Sequence, residues 1–425
     1  MKEDFKAGVG LSRKWDAREA GREVAETALE KLDGEKPKFF LLFSTIPYEK
    51  YGGFQELLNG VWEVLPEGTP LIGGTVAGFM NNYGCYTRGV TALTVAYPNM
   101  DVAVGVGKNT KRDPRGATKS AYDKLISTPT SYPNNFIIEL VATAVIPKLP
   151  SVGQKNVILS KKIGDTFVKL LPTLEKIGYG FDRADEIIEL LAGYFPDRVI
   201  VGGCTMDDNK FLRNYQFVDK DVTENSLALL HVSSDLRKTV HTITSYTLRG
   251  ERFKITRISR DRHVVKEFNG EGARTALLRR LNLHIEEKEA VYSLYKNIYY
   301  YPLAYYKNNT LRPCMIGLIY GENLIFGNRI ESNELDLLAV SVDKAIQQIE
   351  RAVQNLENKN TCFIYGVACE TYVETLGSNI YRVHRLLEET NAAFVLPFVA
   401  GESIYIPEKG AHHLYESIHL LGLNI

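Results

Sequence analysis

Val199-Ile200-Val201-Gly202-Gly203-Cys204-Thr205-Met206-Asp207 is an apolar, strand-like run that breaks at a glycine pair, and a second apolar run, Ser226-Leu227-Ala228-Leu229-Leu230-His231-Val232, follows it. The same order occurs twice more. Pro70-Leu71-Ile72-Gly73-Gly74-Thr75-Val76-Ala77-Gly78-Phe79 precedes the run from Gly89 to Tyr97, and Phe394-Val395-Leu396-Pro397-Phe398-Val399-Ala400-Gly401-Glu402-Ser403 precedes Ser417-Ile418-His419-Leu420-Leu421. A helix-like run stands before each copy. Repetition of strand, glycine turn and strand predicts a fold assembled from copies of one supersecondary unit. It also marks the turns at Gly73, Gly74, Thr75, at Gly202, Gly203, Cys204, and at Gly401 as places where backbone can approach a ligand. The competing reading gives the glycines only a local task, a tight strand end with positive φ.

Working outward, Asp16 caps a helix to about Leu32, with Ala20, Val24, Ala28 and Leu32 on its apolar stripe. Phe39-Phe40-Leu41-Leu42-Phe43 reads as a strand buried on both faces. The runs Val90 to Tyr97 and Asp101 to Gly107 read as a hairpin across Pro98-Asn99. The second copy carries a helical insertion, Thr166 to Ile177 and Arg183 to Tyr194. Arg249 to Arg262, rich in charge, reads as a boundary. Glu334 to Leu356 repeats its apolar residues at three- and four-residue spacing and predicts one long helix, capped by Ser332 or Asn333. Hairpins beside crossover helices predict an α/β (mixed α+β) fold of two mixed β-sheets with helices packed outside. The expected domains are 1–248 and 249–425.

With 425 residues and 44% hydrophobic content, the chain can bury a core of two or three ordinary domains. Its 51 basic and 51 acidic residues balance, which argues against a dedicated nucleic-acid binder. The short basic pairs Lys111-Arg112 and Arg279-Arg280 read as solvated surface. Five cysteines without a CxxC pair fit a reducing compartment and give no zinc spacing. The N-terminus has no apolar h-region and no apolar run is long enough to cross a bilayer, so cytoplasmic residence without membrane contact is expected. GxxxxGK[ST], GxGxxG after a strand, HExxH and GxSxG are all missing. The adjacent His412 and His413 would point to opposite faces of a strand. No metal site and no cofactor is expected. Glu402, at the end of an apolar run, is a carboxylate that needs a partner. A ligand amine is one reading, and a salt bridge to Arg312 or Arg382 is the other. Cys369 reads as a small core hydrophobe rather than a nucleophile.

In order and spacing the chain resembles FIST-domain proteins, with an N-terminal and a C-terminal FIST segment. The resemblance is carried by Ala7-Gly8-Val9-Gly10-Leu11-Ser12 with the helix behind it, by Phe39 to Ser44 leading to Pro70-Leu71-Ile72-Gly73-Gly74-Thr75, and by Phe268-Asn269-Gly270. Tyr301-Pro302-Leu303, Arg312, Cys369 through Leu376-Gly377, and Gly401-Glu402 continue it. The family usually has an Arg a few residues after Cys369, where this chain has Glu370, Thr371 and Tyr372. The resemblance implies a cytoplasmic sensory or regulatory protein without catalysis. It would bind a small molecule, an amino acid or similar metabolite, and act on a separate output protein. The implied site gathers Gly73, Gly74, Thr75, Gly202, Gly203, Cys204, Arg312, Cys369, Gly401 and Glu402, with an α-carboxylate on the backbone N–H groups of Gly74 and Gly203. Two alternatives stay open. One is an enzyme on a small metabolite using Glu402, with Cys369 as a participant. The other is a haem-dependent gas sensor with a histidine ligand.

Overall fold

The computed structural model describes residues 4–147, 156–175, 178–283, 297–307 and 309–425. Three of its sheets are wired alike. In the first, Phe39–Thr45 and Leu71–Val76 run parallel, joined through the helix Phe54–Trp62, and Val90–Ala96 returns antiparallel beside Phe39–Thr45. In the second, Asn134–Ala142 and Val199–Thr205 run parallel, and Ser226–Ser234 returns. In the third, Thr361–Cys369 and Ala393–Val399 run parallel, and Ser417–Asn424 returns. One more strand widens each sheet beyond the returning one: Lys6–Ser12, Met100–Lys108 and Arg237–Thr244 respectively. The mixed α/β class stands. Among the described residues the sheets number four rather than the expected two, because each copy builds a sheet of its own and a further sheet is inserted.

The three units interlock. Each sends out a short hairpin before its returning strand, and that hairpin pairs with a neighbour. Gly78–Asn81 joins Ala393–Val399, Gln216–Val218 joins Leu71–Val76, and Glu402–Ile406 joins Val199–Thr205. The exchanges close a ring and cover three sheet edges that would otherwise expose unpaired backbone groups. Inner faces of all three sheets share one core, in which Phe39 meets Phe363 edge-on and Phe43 stacks on Tyr365. The helices lie outside. In Ala17–Glu30 the predicted cap is present, Asp16 accepting from the Glu19 N–H, and Ala20, Val24 and Ala28 are buried.

Several expectations change for reasons of packing. The glycine pairs are not turns: Gly73-Gly74 and Gly202-Gly203 lie inside strands. A Cβ on Gly73 or Gly202 would fall 1.8 or 1.9 Å from the carbonyl oxygen of Leu42 or Glu139 on the neighbouring parallel strand. Their task is close approach of backbones, not positive φ. Only Gly401, at φ +98°, needs the left-handed region. Register makes Gly74 and Gly203 equivalent, facing Gln216 and Glu402, whereas the third unit has Phe398 facing Gly78. Gly401 therefore lies beyond the equivalent place.

Val90–Ala96 and Met100–Lys108 form no hairpin with each other. They belong to different sheets, the first pairing with Lys6–Ser12 and the second with Ser226–Ser234. The long helix splits. Glu334–Val340 is a strand between Tyr246–Ile258 and Leu303–Lys307, and Ser341 caps the helix Val342–Asn358 through the Lys344 N–H. Leu335 and Leu337 sit at two-residue spacing and are both buried, the period of a strand rather than of a helix. Apart from Val157–Ile158, which comes from within unit two, the strands of the fourth sheet are inserted between Arg237–Thr244 and the helix Val342–Asn358 of the third unit. The expected boundary at 248 and 249 falls within Tyr246–Ile258. The end of the predicted helix at Lys176 and Ile177 lies outside the described residues. Lys111 is not solvated surface but buried at 7% exposure.

One repeat signal escaped the sequence reading. Gly8-Val9-Gly10 and Gly105-Val106-Gly107 lie in the first strands of units one and two. A Cβ on any of these glycines would fall 1.8–2.3 Å from a carbonyl oxygen of the helix behind it, that of Ala28, Val24, Ala121 or Ala117. The glycines let each helix rest directly on strand backbone.

Candidate functional site

The carboxyl ends of the parallel strands in units two and three open onto a small cavity of about 60 Å³. Ligands commonly bind at such strand ends, where backbone leaves the sheet and side chains turn outward. Thr143 and Ala144 follow Asn134–Ala142, Cys369 to Thr371 end Thr361–Cys369, and Ala400 and Gly401 end Ala393–Val399. The opposite wall comes from the inserted sheet: Met315 to Leu318, then Ile325 to Gly327. Phe181, stacked on His263 at 4.3 Å, forms part of another side.

The wall is mostly apolar, with a few polar groups converging on it, the usual make-up of a small-molecule site. Two are buried carboxyls. Burial, and then Glu374, pushes Glu370 up to about 7, and burial, and then Asp185, pushes Asp182 up to about 7. Asn209, held at φ +63°, donates from Nδ2 to Glu370 Oε1 at 3.0 Å and to Tyr299 Oη at 2.7 Å. Tyr415 is buried, and its phenol is raised by burial with Asp182 and Cys204 nearby. Gly327 leaves room for it, since a Cβ there would lie 2.5 Å from Tyr415 Oη. Among the described residues lining the cavity there is no lysine, arginine or histidine.

The predicted site residues do not gather in one place. Cys369 and Gly401 line the cavity. Gly73, Gly74, Gly202 and Gly203 are interior ladder positions flanked by strands on both sides, so the Gly74 and Gly203 backbones are committed to the sheet, and Cys204 pairs with Val141 on one side and bonds Ala400 and Gly401 on the other. Thr75 accepts from the Tyr215 N–H through Oγ1, and its carbonyl accepts from Met206 N–H. Arg312 donates to the Ala411 carbonyl at 3.1 Å and lies 3.9 Å from Glu189.

Glu402 is fully buried behind the cavity wall. Ser417 Oγ donates to its Oε2 at 2.8 Å, and Oε1 has no hydrogen-bond partner among the described residues. The expected salt bridge is not made: Arg312 is near Glu189, and Arg382 pairs with Glu350. With no cation beside it, burial raises Glu402 well above the usual carboxylate range. Cys369 sits near Glu402, Glu416 and Glu370, and burial plus those charges hold its thiol protonated, the opposite of an activated nucleophile.

Asp182, Glu370, Asn209 and Tyr415 were missed. Glu370 carries the same signal as Glu402, a carboxylate just past an apolar strand. Asp182 follows Gly178-Tyr179-Gly180-Phe181, a glycine-punctuated run that could have been weighed like the others. The histidine pair behaves as strand alternation requires. His412 Nε2 lies 2.9 Å from the Lys409 carbonyl oxygen, while His413 is buried at 3% exposure.

Fold and cavity define a mixed α/β protein of three interlocked, similarly wired units with a chamber at its strand ends. Residues 38–271 match the family model of the FIST N domain, more than half of the chain, and the chain belongs to that family. FIST domains are sensory domains. The match covers most of units one and two and the start of the inserted sheet. No curated protein matches the chain. Among solved structures it overlays on PurLQS from Thermotoga maritima at 11% identity and a TM-score of 0.19, over 99% of this chain and 72% of that one, a likeness too slight to carry an argument. Among the described residues no helix is long and apolar enough to cross a membrane.

Proposed function

We propose that this FIST-family chain is a sensor of a small, largely apolar molecule bearing an amino group, bound in the strand-end cavity. The observation that carries the reading is the cavity's chemistry: an apolar wall, the buried carboxyl of Glu370 with no cation beside it, and no basic side chain among the described lining residues. A buried carboxyl without a cation is costly to ionise, and a ligand ammonium relieves that cost by supplying the missing charge. Glu370, oriented by Asn209, would receive the amine. A simple amine suits the chamber better than a zwitterionic amino acid, because the backbones of Gly74 and Gly203, the expected carboxylate holders, are taken up in the sheets. The chain beyond residue 271 would act as the C-terminal FIST segment, and a separate cytoplasmic protein would carry the output.

The test is native mass spectrometry of the purified chain, followed by calorimetric titration with a panel of apolar amines and their neutral isosteres. Glu370→Gln should weaken amine binding by roughly 1.5–3 kcal/mol, the worth of a charge-assisted hydrogen bond. Binding of neutral isosteres as tight as that of the amines, or amine affinity untouched by Glu370→Gln, would remove the amine from the reading.

A further inference from the structure

Behind Gly401, on the side of the cavity where Asp182 lies, three metal-binding side chains from distant parts of the chain meet. Asp182, Cys204 and His413 are all buried, and one ligand atom from each lies within 4.8 Å of the others. Donor atoms around a tetrahedral zinc are separated by about 3.5 Å, so small rotations bring these three into place. We propose that Asp182, Cys204 and His413 bind one divalent transition-metal ion, with zinc the best match.

The state of His413 is the strongest independent argument. Its Nδ1 lies 3.1 Å from Ser403 Oγ, while its Nε2 is buried and has no hydrogen-bond partner among the described residues. This is the usual division of labour in a ligating histidine: one ring nitrogen is oriented by an outer partner and the other is left with a free lone pair. Space for that lone pair depends on Gly401, where a Cβ would fall 2.6 Å from Nε2. Cys204 is fixed against the same glycine, its N–H donating to the Gly401 carbonyl and its carbonyl accepting from Ala400 N–H. A nitrogen, a sulfur and a carboxylate oxygen suit a borderline ion such as zinc and not magnesium or calcium. Three protein ligands leave a fourth position for water.

Lys111 is the group that opposes the metal. It is buried and acts on both Asp182 and Cys204. A dication at the site would be repelled by the Lys111 ammonium. Burial, and then Asp182, Glu139 and Glu402, hold the Cys204 thiol well above its ordinary value, so metal uptake must displace its proton, and Asp185 acts on Asp182 and His413.

The probe is metal alone, zinc or cobalt, added to chelator-stripped protein without any organic ligand. Wild type should take up one zinc per chain in competition with a chromophoric chelator, and cobalt should give a thiolate charge-transfer band. Cys204→Ser should abolish that band, and His413→Gln should weaken zinc by more than about 100-fold, beyond the effect of losing an outer partner. Lys111→Met should tighten zinc binding, a gain that a misfolded variant cannot mimic. Glu370→Gln should leave zinc affinity unchanged, so failure of the amine reading and failure of this one are told apart. Substoichiometric zinc uptake by wild type would overturn the assignment. So would a cobalt thiolate band that survives Cys204→Ser, because another cysteine would then be the ligand.

Discussion

Glu139 gives the sharpest quantitative test of how this interior is built. It lies mid-strand in Asn134–Ala142, fully buried, and neither carboxyl oxygen has a hydrogen-bond partner among the described residues. Ser403 Oγ is beside it but is within hydrogen-bond reach of His413 Nδ1. Burial moves Glu139 from its ordinary 4.5 up to about 8. A raised carboxyl stabilises the fold in its protonated form. That contribution is complete below the unfolded value and is lost as pH rises through the folded one. At about 1.36 kcal/mol per pH unit, the loss from this group is roughly 3 kcal/mol between pH 4.5 and 7. Glu139→Gln removes the ionisation and keeps the shape, at a cost of about 1–3 kcal/mol for an amide left without partners. The variant should therefore be the less stable protein near pH 5 and should equal or exceed wild type by pH 8. Urea unfolding of both proteins at pH 5, 6, 7 and 8 reads the crossing. The other buried carboxyls are present in both proteins, so the difference isolates Glu139. Parallel stability profiles would refute the reasoning and would mean that Glu139 is ionised with a partner or reached by solvent.

Gly203→Ala should cost about 1–3 kcal/mol or more, since its Cβ would lie 2.7 Å from Val399 Cγ2 and 2.8 Å from the Gly401 carbonyl oxygen. Gly193→Ala, within the helix Ala184–Tyr194 and with nothing within 4 Å, should instead stabilise by about 0.5–1 kcal/mol, and thermal unfolding of the pair checks both signs. Glu402→Gln should lower stability by only about 1 kcal/mol, because a neutral acid with one hydroxyl partner is being replaced by a neutral amide, and a loss of 3–5 kcal/mol would reveal a cationic partner.

Much of the architecture was legible along the chain because it depends on local pattern. The continuous apolar runs at Phe39–Phe43 and Val199–Val201 are strands with neighbours on both sides, and the stripe behind Asp16 is a helix with that cap. The repeated order of strand, glycines and returning strand is the wiring of three sheets. Legibility failed where pairing partners lie far off. Val90–Ala96 and Met100–Lys108 are adjacent in sequence and end in different sheets, and Glu334–Val340 has leucines that satisfy either period. Neither choice is local, because the partner strand decides it.

The candidate site divides in the same way. The sequence by itself determined that strand ends bearing Cys369, Gly401 and a neighbouring carboxylate would be exceptional, because an acid beside an apolar run must find a partner or stay protonated. Which acid faces the cavity was decided by tertiary structure alone. The hairpin exchange carries Glu402 into the interior against Ser417, whereas Glu370 and Asp182 reach the chamber closed by the inserted sheet. The meeting of Asp182, Cys204 and His413 likewise has no trace in spacing, since each comes from a different strand end or loop and only the ring of three units brings them within 4.8 Å. Side-chain type is a property of the chain, but burial, partners and distance belong to the packed whole.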